Sequence, residues 1–182
     1  MKKQTPQQKP IALVGLMGAG KSAVAQALGE RLGASVADLD SMIEAVEGCG
    51  IADLFERSGE TWFRQRESDL LAQALASNVR VIACGGGVVL GEDRRALLRE
   101  RCVTVWLEVS PAEAARRVAG EGRKTAAERP MLAGADALER LEQLLAERAP
   151  FYAEVAAIRV PTDGLTPVDI AQAIVTELAT LS

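Results

Sequence analysis

The segment at residues 15–22, GLMGAGKS, is the feature that most constrains how this chain can fold. It matches the pattern GxxxxGK[ST] and lies between an apolar run, Ile11–Val14, and an amphipathic stretch, Lys21–Leu32. Glycines in such a loop turn backbone N–H groups toward phosphate oxygens, and the helix that follows adds the partial positive charge of its N-terminus. The order of strand, loop and helix therefore predicts an α/β nucleotide-binding protein.

Within the loop we expect Lys21 to reach the β- and γ-phosphates of ATP and the Ser22 hydroxyl to ligate Mg²⁺. The residues predicted to surround the phosphates are Gly18, Ala19, Gly20, Lys21, Ser22 and Ala23. Residues 18–23 also fit the looser dinucleotide pattern GxGxxA, with Asp38 twenty residues later where a ribose-binding acid would lie. A dinucleotide site has no use for Lys21, and Gly15 occupies the end of the strand, so the phosphate-binding loop is favoured.

Short apolar runs alternate with longer amphipathic ones along the whole chain. We predict strands at 11–14, 35–38, 79–83, 103–107 and 158–160, and helices at 21–32, 41–46, 51–57, 60–76, 92–101, from 110, at 136–151 and at 167–181. Such alternation is typical of a parallel sheet covered by helices on both faces. We therefore predict a three-layer α/β/α domain over residues 10–182, preceded by a flexible tail at 1–9.

Composition excludes several classes of function. The 21 Lys and Arg residues against 25 Asp and Glu give a net charge of −4, which disfavours nonspecific nucleic-acid binding. There is no histidine, so an imidazole base or a histidine-ligated zinc is excluded. The three cysteines show no CxxC spacing, and no apolar run approaches the roughly 20 residues needed to cross a bilayer. We expect a cytoplasmic monomer that binds neither nucleic acid nor membrane.

Two aspartates, Asp38 and Asp40, follow the second predicted strand. A P-loop protein needs a further carboxylate near its metal, and the strand at 79–83 ends in glycines instead of an acid. On an extended segment Asp38 and Asp40 point to the same side. One can then serve the water shell of Mg²⁺ while the other meets an acceptor hydroxyl. The alternative for Asp40 is a purely structural role as the N-cap of a helix beginning at Ser41.

Four other features each have a structural and a functional interpretation. Arg64 can simply pair with Glu60 one helical turn away, and Arg148 can complement the dipole at a helix end. The glycines at 85–87 can form a turn or let a ligand approach the backbone closely. Arg129 lies in a charged segment where most arginines are only solvated. Taken alone, each of these features has an adequate structural explanation, whereas together with a P-loop they form a pattern.

Together these motifs resemble the shikimate kinase family. The matching segments are GLMGAGKS at 15–22, DLD at 38–40, GETWFRQRE at 59–67, CGGGVV at 84–89, ERPML at 128–132, ERAPFY at 147–152 and PTDG at 161–164. The resemblance implies a nucleoside-monophosphate-kinase-like fold with a five-stranded parallel sheet. It also implies transfer of the ATP γ-phosphate to the 3-hydroxyl of shikimate, with an acceptor-binding segment at about 40–78 and a lid at about 119–135.

The resemblance further implies roles for individual residues. Asp40 would hold the reacting hydroxyl as candidate base, and Asp38 would support Mg²⁺ through water. Arg129 would reach the transferring phosphoryl group and complete a catalytic set with Lys21 and Asp40. The residues implied to bind shikimate are Asp40, Arg64, Gly86, Gly87 and Arg148. Those implied to flank the adenine are Arg117 and Pro161, the latter together with Thr162.

Other functions remain open from the sequence. A gluconate-type carbohydrate kinase would use the same P-loop scaffold, and the dinucleotide pattern would suit a nicotinamide-dependent oxidoreductase. A nucleotide-binding module without catalysis is a third alternative, although binding alone requires neither Asp40 nor Arg129.

Overall fold

The computed structural model describes residues 9–120 and 137–181, in which five strands form one parallel sheet. The strands are β1 (Ile11–Val14), β2 (Val36–Asp38), β3 (Val81–Ala83), β4 (Val103–Glu108) and β5 (Ile158–Pro161). Their spatial order is β2-β3-β1-β4-β5, and Ile11 of the central strand lies opposite both Val81 and Val103. The predicted α/β class with a five-stranded parallel sheet is confirmed.

Seven helices in the described residues cover this sheet. They are α1 (Lys21–Leu32), α2 (Leu39–Glu47), α3 (Ile51–Ala76), α4 (Glu92–Arg101), α5 (Pro111–Gly120), α6 (Ala137–Val155) and α7 (Pro167–Thr180). A short 3₁₀ turn, Val88–Leu90, which the sequence did not predict, follows the glycines at 85–87. None of these helices combines the length and the apolar character needed to span a membrane, within the described residues.

Side chains alternate across the sheet and build two apolar layers. Ile11 and Leu13 of β1 belong to one cluster, with α1 and α7, whereas Ala12 and Val14 belong to the other, with α3 and α4. A strand buried on both faces reads as a continuous apolar run, which is the pattern of β1. The sheet therefore forms the middle of the predicted three layers.

The helix α3 contains a break at Gly59, between the two helices that the sequence predicted at 51–57 and 60–76. Gly59 has φ 77° and ψ 169°, in a region that disfavours residues with a Cβ, so α3 consists of two helical segments joined by a kink at this residue. The rings of Phe55 and Phe63 meet across this bend with centroids 4.5 Å apart. Both rings line the cleft described below.

All five strands point the same way, so the loops that follow them leave from one edge of the sheet. Leu13 of β1 and Asp38 of β2 both lie opposite Ala83 of β3. The phosphate loop, the two aspartates and the glycines at 85–87 consequently emerge side by side, which is where ligands bind in open parallel sheets. The predicted tail and lid, with Arg129, lie outside the described residues apart from Lys9 and positions 119–120.

Candidate active site

The phosphate loop is shaped by close backbone packing. Gly18 has φ 79°, and a Cβ there would lie 2.8 Å from the carbonyl oxygen of Ala114 in α5. Gly20, with φ 84°, occupies the N-cap of α1 and has no side chain to cover the helix end. The first N–H groups of α1 therefore face the loop, in the arrangement that binds anions at helix N-termini.

Lys21, the first residue of α1, directs its ammonium group back across this loop. Its Nζ donates hydrogen bonds to the carbonyl oxygens of Gly15 at 2.9 Å and Leu16 at 3.0 Å. Burial lowers the pKa of Lys21, and the neighbouring carboxylates, Asp40 above all, oppose that decrease. The ammonium group thus lies beside the loop with an acidic partner at hand.

The prediction that Asp38 and Asp40 lie together on one extended segment was wrong. β2 ends at Asp38 and α2 begins at Leu39, so Asp40 lies in the first helical turn. The N-cap of α2 is Asp38, whose carboxylate accepts a hydrogen bond from the Ser41 N–H at 3.1 Å. The capping role considered for Asp40 thus belongs to Asp38. Both carboxylates nevertheless line the same cleft.

Asp40 has the electrostatic environment of a proton acceptor. Burial raises the pKa of its carboxyl to about 6, the Lys21 ammonium lowers it, and Glu67 and Asp38 add to the increase. A base is most effective when its pKa lies near the working pH. The geometry and the pKa of Asp40 therefore both suit a general base at the mouth of the phosphate loop.

Arg64 in α3 fulfils its structural interpretation and also faces the cleft. Its Nε and Nη2 donate to Glu60 Oε1 at 3.3 and 3.2 Å, as the spacing in the sequence suggested. Its Nη1 donates to Glu67 Oε2 at 3.0 Å. A Cβ on Gly87 would lie 2.6 Å from the Arg64 Cζ, so a larger residue at 87 would force the guanidinium group to move.

Arg148 is not at a helix end, so the interpretation as a dipole-complementing residue was wrong. The helix α6 continues past Pro150 to Val155, and Arg148 is only 3% exposed. A Cβ on Gly86 would lie 3.6 Å from its Nη1. One turn later, the Tyr152 hydroxyl donates to the Gly86 carbonyl oxygen at 2.5 Å. α6 thus brings an arginine and an anchor for the glycine loop to the same place.

These elements enclose one cleft of about 430 Å³. Of the residues predicted for the site, those lining it are Gly18, Gly20, Lys21, Ser22, Ala23, Asp38, Asp40, Arg64, Gly86, Gly87 and Arg148. Ala19 lies in the same loop but is fully buried. The cleft therefore unites a glycine-rich loop at a helix N-terminus, a carboxyl group with a raised pKa and two arginines from distant parts of the chain.

The two residues predicted near the adenine lie beside the loop but are not part of the cleft lining. Arg117 donates to the Gly18 carbonyl oxygen at 3.3 Å and to the Thr162 carbonyl oxygen at 2.6 Å. Pro161 is exposed and directly precedes Thr162. Arg117 and Pro161 are thus close to one another and to the phosphate loop, at its α5 side.

Among the cleft residues that the interpretation of the sequence missed, Glu67 and Cys84 carry ionisable groups. The carboxyl of Glu67 is fully buried, and its Oε1 has no hydrogen-bond partner among the described residues. The spacing of Arg64 and Glu67, three apart on one helix, was the available signal. Cys84 also lines the cleft, and burial raises the pKa of its thiol well above the usual value, which keeps it protonated.

The donors present suit Mg²⁺ held through few protein ligands. No cluster of three or more acidic, cysteine or histidine side chains able to hold a metal occurs within residues 9–120 and 137–181. The Ser22 hydroxyl and the Asp38 carboxylate both reach the cleft. Mg²⁺ is commonly bound by one or two such oxygens together with substrate phosphates, so the donor set fits this ion.

Comparisons with known proteins agree on one family. A family model described as shikimate kinase matches residues 17–179. The shikimate kinase of Symbiobacterium thermophilum is 43% identical over 168 residues, 92% of this chain and 95% of that protein. The structure of shikimate kinase from Acinetobacter baumannii in complex with shikimate has a TM-score of 0.89 at 33% identity, covering 96% and 94% of the two chains. A gluconokinase from Sinorhizobium meliloti 1021, at 20% identity, TM-score 0.60 and coverage of 97% and 95%, shares the fold alone.

Proposed function

The chain belongs to the shikimate kinase family, and we propose that the cleft between the phosphate loop and α3 is its catalytic centre. The enzyme is an ATP-dependent kinase that transfers the γ-phosphate of ATP to the 3-hydroxyl of shikimate. The observation that carries the assignment is that Lys21 and Asp40 share one cleft with Arg64 and Arg148. Phosphate-binding and carboxylate-binding groups thus lie within reach of a single small acceptor.

Arg64 and Arg148 are proposed to bind the acceptor carboxylate, with Gly86 and Gly87 supplying backbone contacts. A guanidinium group offers parallel N–H donors that match a carboxylate, which an ammonium group cannot do. The two arginines come from α3 and α6, and the glycines at 85–87 lie close to both. This arrangement selects a planar anion rather than a neutral sugar.

Phosphoryl transfer places most of its demands on positioning and charge. We propose that Asp40 accepts the proton of the acceptor hydroxyl as its oxygen bonds to the γ-phosphorus and the bond to ADP breaks. Lys21 stabilises the phosphate charge from the loop side. Arg129, which lies outside the described residues, is proposed from the family motif to approach the transferring group from the lid.

The nucleotide is proposed to lie along the phosphate loop, with its adenine between Arg117 and Pro161. Ser22 and Asp38 are the residues that would hold Mg²⁺, the latter through water. When bound, that ion neutralises phosphate charge. The single kinase domain at 10–182, with an acceptor segment at about 40–78 and a lid at about 119–135, also remains a proposal.

We also propose a cytoplasmic monomer that acts on small molecules and binds neither nucleic acid nor membrane. All three cysteines are free thiols, which agrees with a reducing compartment. Size-exclusion chromatography with light scattering measures the oligomeric state, and a dimer mass would contradict this part of the proposal.

The activity is tested by ADP release coupled to NADH oxidation, with shikimate, gluconate or no acceptor. We expect ADP release with shikimate alone, and ³¹P NMR of the product should show a phosphate monoester on the 3-oxygen. Turnover with gluconate and not with shikimate would overturn the proposed acceptor. Equal ADP release without any acceptor would indicate simple ATP hydrolysis.

Replacing Arg148 with lysine should raise the KM for shikimate about 10-fold with little change in the KM for ATP, because one ammonium cannot reproduce a two-pronged contact. Arg140→Lys is the matched control, since Arg140 lies on the same helix and donates to Gln143 instead of facing the cleft. Steady-state kinetics measure both constants. An unchanged KM for shikimate in Arg148→Lys would place the acceptor carboxylate elsewhere.

A further inference from the structure

We propose that Arg94 is a positioning residue for acceptor binding, because it shares the buried Glu67 carboxylate with Arg64 and anchors the backbone from which Arg64 extends. The inference rests on the proposed function, in which Arg64 binds the acceptor carboxylate. Arg94 itself does not line the cleft. Its effect therefore passes through Glu67 and Arg64.

The guanidinium group of Arg94 lies at a junction of three elements. Its Nε is 3.7 Å from Glu67 Oε2, the same oxygen that accepts from Arg64 Nη1 at 3.0 Å. Its Nε also donates to the Val88 carbonyl oxygen at 3.0 Å, in the turn after the glycines. Its Nη1 donates to the backbone carbonyl oxygen of Arg64 at 3.1 Å. One side chain from α4 thus connects α3, the glycine segment and the buried carboxylate.

The side chains at this junction are buried and closely packed. The Arg94 side chain is only 7% exposed and that of Glu67 is fully buried. A Cβ on Gly91 would lie 2.5 Å from the Arg94 Cζ, so the chain has a glycine where any side chain would displace the guanidinium. The Ser68 hydroxyl also donates to the carboxylate of Asp93 at 2.5 Å, which ties the start of α4 to α3.

The charge balance explains why Arg64 needs Arg94. A buried carboxylate is costly unless cations or hydrogen-bond donors compensate it. With two arginines on Glu67, Arg64 can turn part of its guanidinium toward an incoming carboxylate without leaving Glu67 uncompensated. Without Arg94, Arg64 would be the remaining cation in contact with Glu67 among the described residues, so the acceptor would compete with Glu67 for Arg64.

Arg95 provides a matched control on the adjacent position. Its side chain is 10% exposed, close to the 7% of Arg94, and it also donates to backbone carbonyl oxygens, those of Val89 and Leu90. Its ionic partners are Glu92 and Glu154 rather than Glu67. Loss of either arginine removes a buried guanidinium from α4, but only loss of Arg94 removes a partner of Glu67.

The experiment compares Arg94→Met with Arg95→Met in the full-length enzyme. We expect Arg94→Met to raise the KM for shikimate about 5- to 20-fold, with the KM for ATP within about 2-fold and kcat within about 3-fold. Arg95→Met should lower Tm about as much as Arg94→Met does, and it should leave the KM for shikimate unchanged. An unchanged KM in Arg94→Met, or an equal increase in both variants, would overturn the inference.

A second pair of variants tests the route through Glu67. In a Glu67→Gln background the Arg94→Met substitution should raise the KM for shikimate much less, because the buried charge that Arg94 compensates is gone and only its backbone hydrogen bonds remain to be lost. An undiminished effect would mean that Arg94 acts through those backbone hydrogen bonds or through packing, and would overturn the route through Glu67. If Arg94→Met does not fold, Arg94→Lys replaces it. Its KM for shikimate should lie between that of the wild-type enzyme and that predicted for Arg94→Met. A KM equal to that of the wild-type enzyme would contradict the inference. A wild-type enzyme inactive on shikimate would instead refute the proposed function.

Discussion

The Lys21→Met variant is expected to lose about 10³-fold in kcat while keeping its fold. Methionine fills nearly the same volume but cannot donate to the phosphates as their charge shifts in the transition state. The Lys21 ammonium donates to the backbone carbonyl oxygens of Gly15 and Leu16, and the charge of Asp40 favours its protonated form. The arginines that line the described part of the cleft come from α3 and α6 and not from the phosphate loop, so we expect neither to substitute for this charge.

Stability should not fall with activity in this variant. Burial lowers the pKa of Lys21, which means that the folded state disfavours its charged form. A neutral side chain removes that cost, so Tm should stay within about 3 °C of wild type. Lys9→Met serves as control because Lys9 lies just before β1, at the opposite end of the strand from the loop. A kcat within about 10-fold of wild type for Lys21→Met would remove Lys21 from the mechanism.

The sequence predicted the framework well because local patterns determine it. A buried strand, a glycine loop and an amphipathic helix are consecutive in the chain, and α1 begins and ends at the predicted residues. The edge of the sheet at which the loops meet follows from parallel strands alone. The sequence could therefore predict that Lys21 and the two aspartates lie near the carboxyl ends of β1 and β2.

Other features depend on contacts between distant segments. The predicted helix ended at 151, yet α6 continues to Val155, and its buried face, including Tyr152, packs under the glycine segment. That extension places Arg148 nearly two turns before the end of the helix. The exchange of the capping role between Asp38 and Asp40 arose from a boundary error of two residues, which is within the usual fraying of helix ends.

The buried ionic cluster is the feature that sequence patterns reveal least. The pairing of Arg64 with Glu60 follows from helical spacing, whereas the approach of Arg94 to Glu67 requires α3 and α4 to pack together. An arginine within a charged run such as EDRR is most simply interpreted as solvated. Its guanidinium group lies close to Gly91 and donates to the Val88 carbonyl oxygen, contacts that depend on the fold.

Asp40→Asn is expected to lower kcat about 10²- to 10³-fold, because an amide cannot accept the proton of the acceptor hydroxyl. In the wild type, kcat/KM for shikimate should fall as the pH drops through about 6, the raised pKa of Asp40. The residual activity of Asp40→Asn should lack that decline. An acidic decline that persists in the variant would belong to another group, and Asp40 would then orient the hydroxyl without taking its proton.

The same substitution should stabilise the fold, with a pH dependence of definite sign. The pKa of Asp40 is raised from 3.8 to about 6 in the folded state, so its ionised form destabilises the protein. That cost is fully present above pH 6 and absent below about pH 4. Asp40→Asn should therefore raise the free energy of unfolding by about 3 kcal/mol at pH 8 and leave it unchanged at pH 3.5. Asp38→Asn is the control, because asparagine can still cap α2. This substitution removes a neighbouring carboxylate and leaves the carboxylate of Asp40 in place. Urea titrations measure the free energy of unfolding of both variants. Equal increases in the two would mean that the stabilisation reflects general charge reduction, and not the burial of the ionised Asp40 carboxylate.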